Sequence, residues 1–236
     1  MPERTETLSP MRGQRQPGRA EIAGHPRLTI VAHPVALALL GRLRDRRTGV
    51  FEFGALAGEL ARLLLWEACR DVPLRTSSVP NFAGDQIQVE TLAERVVGVA
   101  ILRAGLLFAG PLRAILPEAP LYQLGLRRDE TSLRVTIYAD NLPVAPGWAE
   151  RVLVFDPMLA TGGSARAAIE CVRRRHAGRI DLLALIAAPI GIEQVLGADA
   201  DCRIFTIALD ERLDERGFIL PGLGDAGNRL FGTFNH

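Results

Sequence analysis

Val152-Leu153-Val154-Phe155-Asp156-Pro157-Met158-Leu159-Ala160-Thr161-Gly162-Gly163-Ser164 carries the strongest fold signal in this chain. Its first four residues are apolar without alternation, which fits a strand buried on both faces, as in a parallel sheet. A lone carboxylate and a turn follow, and the stretch then opens into residues 165–175, whose composition is helical. Residues 182–188 are again continuously apolar. Strand, helix and strand in that order predict a right-handed βαβ crossover.

The same stretch predicts chemistry. In open α/β sheets, ligands bind outside the carboxyl ends of the strands. A loop of Thr161, Gly162, Gly163 and Ser164 at a helix start offers free N–H groups, hydroxyls and the positive end of the helix dipole. The glycines let the backbone come close to an anion. A phosphate monoester is therefore expected on Thr161 to Ser164. Asp156 repels that phosphate and needs another task, such as accepting hydrogen bonds from sugar hydroxyls. The plainer reading is an ordinary turn with Ser164 as helix N-cap; the carboxylate placed directly after four apolar residues favours the site.

Outward from this stretch, residues 96–102 and 203–208 form further apolar runs expected as strands. Phe53, Leu56, Ala57, Leu60, Leu63 and Leu64 recur at helical spacing and predict an amphipathic helix as far as about Cys69. Residues 131–138 alternate β-branched and polar positions and are expected as half of a protruding hairpin closed near residues 143–147. Residues 1–24, rich in Arg, Pro, Gly and Gln, read as a flexible extension, with one domain over residues 25–236.

Composition narrows the function. The 236 residues are 48% apolar with a net charge of +1, so nothing calls for a nucleic-acid or membrane partner. All 28 basic residues are arginines. A Schiff-base lysine, a lysine-anchored pyridoxal phosphate and a Walker-type lysine are thus excluded. Cys69, Cys171 and Cys202 lie far apart, and His25, His33, His176 and His236 form no metal-binding pair, which fits idle thiols in the reducing cytoplasm.

Two further segments carry candidate chemistry. Gly222-Leu223-Gly224-Asp225-Ala226-Gly227 satisfies GxGxxG, but only nine residues follow it. A dinucleotide fingerprint needs a helix and an acidic residue roughly 20 positions on. The segment therefore reads as a loop whose main chain meets a flat ligand edge, with Asp225 adding charge. Arg103-Ala104-Gly105 closes the 96–102 strand, where a guanidinium suits an anion. Arg127 and Arg128 form another candidate pair. Arg173, Arg174 and Arg175 sit near a helix C-terminus, complement its dipole and are given no function.

These segments resemble the uracil phosphoribosyltransferase family. Three of them carry the resemblance: Ile101-Leu102-Arg103-Ala104-Gly105, the stretch from Asp156 to Ser164, and Ile219-Leu220-Pro221-Gly222-Leu223-Gly224-Asp225-Ala226-Gly227. It extends from about His33-Pro34 to Phe231-Gly232-Thr233.

The resemblance implies an α/β type I phosphoribosyltransferase fold: a mostly parallel sheet flanked by helices, with a β-hairpin arm and a C-terminal hood loop. It implies uracil and 5-phospho-α-D-ribose 1-diphosphate as substrates, UMP and diphosphate as products, and pyrimidine salvage as the role. Arg103, Arg128, Asp156, Pro157, Met158, Leu159, Ala160, Thr161, Gly162, Gly163, Ser164 and Asp225 would bind the phosphoribosyl diphosphate. Ile219, Gly224, Asp225 and Ala226 would bind uracil, largely through the backbone. Asp225 and Arg128 would be catalytic. Mg²⁺ would arrive on the diphosphate, with Asp225 reaching it through water and no direct protein ligand. A homo-oligomer, dimer or larger, is also implied; GTP activation, seen in some relatives, is not readable.

The sequence departs from the family pattern at Ala100, at Leu106-Leu107-Phe108-Ala109-Gly110-Pro111, along residues 131–142 and at Trp66. These departures keep two other readings open: a same-fold transferase for a modified pyrimidine, and a non-catalytic nucleotide-sensing regulator.

Overall fold

The apolar runs lie side by side in the middle of a nine-stranded sheet. The computed structural model describes residues 4–6, 23–128, 135–145, 147–176 and 178–233, with the backbone alone for residues 4–6 and 128. In chain order the elements are β1 (Arg4–Glu6), β2 (Leu28–Ile30), α1 (Pro34–Arg44), α2 (Val50–Ala68), β3 (Leu74–Pro80), β4 (Gln86–Leu92) and β5 (Val96–Leu102). A 3₁₀ turn (Ala104–Phe108) leads to α3 (Ala109–Ile115), β6 (Leu121–Arg128), β7 (Val135–Asp140), β8 (Arg151–Phe155), β9 (Met158–Leu159) and α4 (Gly163–Arg173). The chain continues through β10 (Arg179–Ala187), α5 (Pro189–Ala198), β11 (Arg203–Leu209), β12 (Arg212–Leu213), β13 (Ile219–Leu220) and α6 (Ala226–Phe231).

The strand order is β1-β7-β6-β5-β8-β10-β11-β2, with β9 paired to β10. From β6 through β2 every pairing is parallel, while β7 and β1 add an antiparallel edge. The crossover expected between β8 and β10 is present, with α4 as its helix. Of the 1–24 extension, residues 1–3 and 7–22 lie outside the described residues, and Arg4–Glu6 pair with β7.

Side-chain alternation along the central strands divides the interior into two cores. Val152 and Val154 of β8, with Leu182 and Ala184 of β10, pack against Ala165, Ala168, Ile169 and Val172 of α4 and Ile192 and Val195 of α5. Leu153 and Phe155, with Leu183 and Leu185, face the opposite way onto Leu40 and Leu43 of α1 and Phe53, Leu60 and Leu64 of α2. A strand with period two that is apolar at every position must be covered on both faces, which is why these runs lack polar alternation. Phe155 stacks on Phe108 at 4.6 Å between ring centroids, fixing the strand end from which Asp156 projects.

Charges gather at the opposite, N-terminal edge of the strands. Arg151, fully buried, pairs with Asp71 at 2.7 Å, Glu94 at 3.0 Å and the equally buried Asp181 at 3.7 Å. Arg203 bridges Asp181 and Asp71, both at 2.7 Å. This network lies far from the strand ends that bear the candidate ligand residues.

The arm differs from the sequence expectation. The strand Val135–Asp140 pairs back onto β6, with Arg128 opposite Val135 and Leu124 opposite Asp140, and is not closed near residues 143–147. Residues 129–134, between β6 and β7, lie outside the described residues. The hairpin that stands apart is β3–β4, whose strands pair only with each other, from Leu74 opposite Leu92 to Pro80 opposite Gln86. Exposed Thr, Ser and Gln alternate with its few half-buried positions, so the segment has no continuous apolar face. The Asn81 side chain organises its tip, accepting from the N–H groups of Ala83 and Asp85, both at 2.9 Å.

Candidate functional site

A cavity of about 360 Å³ opens at the C-terminal ends of β5 and β8, lined by Ile101, Leu102, Arg103, Ala104, Asp156, Met158, Ala160, Thr161, Gly162, Gly163, Ser164, Gly217, Asp225 and Gly227. Three segments far apart in sequence thus meet around one space. Position follows from topology: parallel strands deliver the β5 and β8 loops to the same edge.

The loop from Asp156 to Ser164 is held by backbone hydrogen bonds to its neighbour strand. Asp156 N–H donates to Leu183 O at 3.1 Å, and Ala188 N–H donates to Leu159 O at 2.8 Å, so the loop is stitched to β10 on both sides. Gly162, with φ of +79°, is the N-cap of α4; Ser164 lies inside the first turn, not at the cap. A side chain at Gly162 would put its Cβ 2.7 Å from Gly191 O. Glycine is therefore required both for the left-handed conformation and for the contact with α5. The first N–H groups of α4 have no partner within the helix and face the cavity end, the arrangement that suits a phosphate. Pro157 and Leu159 do not line the cavity; Leu159 is buried in the core beside α4.

Asp156 sits at the floor of the cavity. Burial raises its pKa from 3.8 to about 7, opposed only by a hydrogen bond from the backbone of Met158. A carboxyl so poorly solvated gains from any ligand that donates hydrogen bonds or brings a cation.

Arg103 is exposed at the cavity mouth and ties to the C-terminal segment, donating to Asn228 Oδ1 at 3.2 Å and Thr233 Oγ1 at 3.4 Å, with its guanidinium 5.9 Å from the Phe231 ring centre. Asp225 is the N-cap of α6: it accepts from Asn228 N–H at 2.8 Å and from Asn228 Nδ2 at 3.0 Å. Arg103 and Asp225 therefore share Asn228 as a partner. The side chain of Arg128 lies outside the described residues; its backbone ends β6.

Of the expected base-binding residues, Asp225 lines the cavity and Gly224 is exposed beside it, whereas Ile219 and Ala226 are buried in the core against α1 and α2. Their side chains face away from solvent, so what they offer a ligand comes from the backbone. Sequence reasoning missed Gly217, which lines the cavity, whereas Gly227, the last residue of the GxGxxG segment, lines it as that segment's reading expects. It also missed Asp210, which accepts from Gly222 N–H at 2.9 Å, and Arg44, which donates to Asp210 and to Gly222 O. Arg44 lies in Gly41-Arg42-Leu43-Arg44-Asp45-Arg46-Arg47, where one functional arginine cannot be told from its solvated neighbours. The departures at Leu106, Leu107, Gly110 and Pro111 do not line the cavity; they line a separate groove of about 570 Å³ with Gly54, Gly58, Leu230 and Phe231.

Among the described residues no group of three or more His, Cys, Asp or Glu side chains is placed to hold a metal. The cavity does bring two carboxylates, Asp156 and Asp225, to one space. That fits Mg²⁺ as it is commonly held, by one or two carboxylates together with substrate phosphates.

A family model described as uracil phosphoribosyltransferase matches residues 30–233. The chain belongs to the uracil phosphoribosyltransferase family. It is 40% identical over 208 residues to the uracil phosphoribosyltransferase of Lacticaseibacillus paracasei, covering 88% of this chain and 99% of that protein. Among solved structures, the AQ2163 protein from Aquifex aeolicus is similar with a TM-score of 0.82 and 32% identity, covering 89% of this chain and all of that one. Adenine phosphoribosyltransferase from Leishmania donovani, at 15% identity and a TM-score of 0.52, covers 82% of this chain and 88% of its own, and shares the fold. The expected type I phosphoribosyltransferase fold is therefore present, with the arm reassigned to β3–β4.

Proposed function

We propose that this chain transfers the phosphoribosyl group of 5-phospho-α-D-ribose 1-diphosphate to N1 of uracil, forming UMP and diphosphate. The observation that carries the proposal is that phosphate loop, carboxylate floor, Arg103 and Asp225 surround a single cavity beside the loop from Ile219 to Gly227. The N1–C1 bond forms as the bond from C1 to the diphosphate oxygen breaks, and the N1 proton is released.

Each residue has a task in that displacement. Thr161, Gly162, Gly163 and Ser164 seat the 5′-phosphate on the α4 N-terminus. Asp156 accepts hydrogen bonds from the ribose hydroxyls and, once ionised, favours the positive charge that builds on the sugar. Arg103 faces the leaving diphosphate and opposes its growing negative charge. Arg128, whose backbone ends β6, is assigned to the same task on the family resemblance alone. Asp225, at the mouth, would hold Mg²⁺ through water, and the cation carried by the diphosphate would supply neutralisation of leaving-group charge. The backbone of Ile219, Gly224 and Ala226 presents donors and acceptors to the flat edge of the base. Holding sugar and base face to face supplies much of the remaining acceleration.

The arm supports a homo-oligomer: an isolated two-stranded hairpin is marginal in water, and Phe82 at its tip is fully exposed. No described helix is long and apolar enough to cross a membrane.

The test is product formation from phosphoribosyl diphosphate and Mg²⁺ with uracil, cytosine, orotate or hypoxanthine as acceptor. Uracil-selective UMP formation is expected. Preference for another base, or binding of phosphoribosyl diphosphate without any turnover, overturns the proposal.

A further inference from the structure

We propose that Arg44 and Asp210 form a clamp that positions the base loop, acting through the single residue Gly222; the inference rests on reading the Ile219–Gly227 loop as the uracil site. Asp210 directly succeeds the last residue of β11 and is 4% exposed. Its Oδ2 accepts from Gly222 N–H at 2.9 Å and from Arg44 Nη1 at 2.8 Å, and its Oδ1 accepts from Arg44 Nη2 at 2.6 Å. Arg44 Nη1 also donates to Gly222 O at 3.0 Å. Both polar atoms of one residue are thus gripped by one ion pair.

Gly222 is where that grip has leverage. Its φ is +63°, and an added Cβ would overlap Ile219 O, so only glycine fits the turn. Fixing its N–H and C=O together fixes the rotation of the peptide planes leading to Gly224 and Asp225. A second anchor secures the next residue, Leu223. Arg229 of α6 donates to Leu223 O at 2.9 Å, to Leu43 O at 2.6 Å and to Asp45 O at 2.8 Å, over the ring of Phe53. The loop is therefore tied to the C-terminus of α1 from both sides.

A buried carboxylate is costly unless every oxygen is satisfied, and an apolar contact serves stability as well or better. An ion pair aimed at the main chain of a glycine gives direction instead. Backbone recognition of a flat base tolerates errors of only about 0.5 Å or 10–20° in the presented groups. Arg44 and Asp210 do not line the cavity; they are positioning residues.

The experiment compares wild type with Arg44→Met, Arg44→Lys and Asp210→Asn. Each is assayed with both substrates varied and followed by amide hydrogen exchange over residues 219–226. Loss of a charge-assisted hydrogen bond raises the uracil KM by about tenfold or more in Arg44→Met and Asp210→Asn, while the KM for phosphoribosyl diphosphate moves by less than about twofold. Exchange over residues 219–226 accelerates, and added guanidinium lowers the uracil KM of Arg44→Met toward wild type. Lysine keeps the charge but not the fork, so Arg44→Lys falls between; it also serves if Arg44→Met does not fold. Equal rises in both KM values, or an unchanged uracil KM, overturn the clamp. If the wild type does not use uracil, the base assignment fails instead, and exchange alone judges the clamp: unchanged exchange rejects it, and acceleration confined to residues 219–226 upholds it.

Discussion

Replacing Asp156 with Asn isolates the energetic penalty of burying a carboxylate at the cavity floor. Desolvation lifts the carboxyl from 3.8 to about 7. Between those values the folded protein holds a proton that the unfolded chain has released, so stability falls as pH rises through this window. At about 1.36 kcal/mol for each tenfold change in proton affinity, the ionised carboxylate costs the fold about 4 kcal/mol above the window. The cavity side of the group is open, so solvent reduces this, and about 4 kcal/mol is an upper bound. Asn has no such titration. Urea unfolding at pH 5 and pH 8, without substrate, should show Asp156→Asn gaining stability over wild type at the higher pH. Phosphoribosyl diphosphate with Mg²⁺ should bind wild type more tightly at pH 8 than at pH 5, and the variant should lose most of that dependence. A difference in unfolding free energy between wild type and variant that stays constant from pH 5 to pH 8 would refute the reasoning.

Three further outcomes are expected. Gly162→Ala forces a left-handed residue to carry a Cβ against Gly191 O; a strain of about 1–2 kcal/mol or more should weaken phosphoribosyl diphosphate binding by calorimetry at least about tenfold, and unchanged affinity would remove the loop from phosphate binding. Asp225→Asn keeps an N-cap for α6 but not the charge, so turnover should fall by about a hundredfold or more with an unaltered melting temperature; wild-type rates would remove Asp225 from the mechanism. Arg151→Leu leaves Asp181 buried beside one fewer cation and should destabilise the fold by about 3–5 kcal/mol in denaturant titration, while the uracil KM of the folded fraction is unaffected.

Legibility in the sequence tracked the physics of each segment. The runs at residues 96–102, 152–155, 182–188 and 203–208 were readable because a strand covered on both faces has no polar alternation to obscure it. Asp156 and Thr161 to Ser164 were readable because a carboxylate and a glycine pair at a strand-to-helix junction have few other uses. The β3–β4 arm was not, since a hairpin exposed on both faces loses the apolar half of its alternation and resembles a loop. Nor was the pairing of β7 with β6, because register lies in backbone hydrogen bonds that composition does not encode. Arg44, Asp210 and Arg229 act on carbonyls and N–H groups far away along the chain, and nothing local to each one marks that role.

The division of the interior by the sheet has a consequence for redesign. Leu159 and Ala165, which carry the phosphate loop, belong to the core beneath α4 and α5. Ile219, Leu223 and Ala226, which carry the base loop, belong to the core beneath α1 and α2. The proposed sugar-phosphate half of the site therefore rests on both cores, because Met158 and Ala160 also pack against the core beneath α1 and α2, whereas the proposed base half rests on that second core. Repacking the face beneath α1 and α2 would therefore reach the acceptor half directly and the donor half only through Met158 and Ala160, while Leu159 and Ala165 keep their support on the other face.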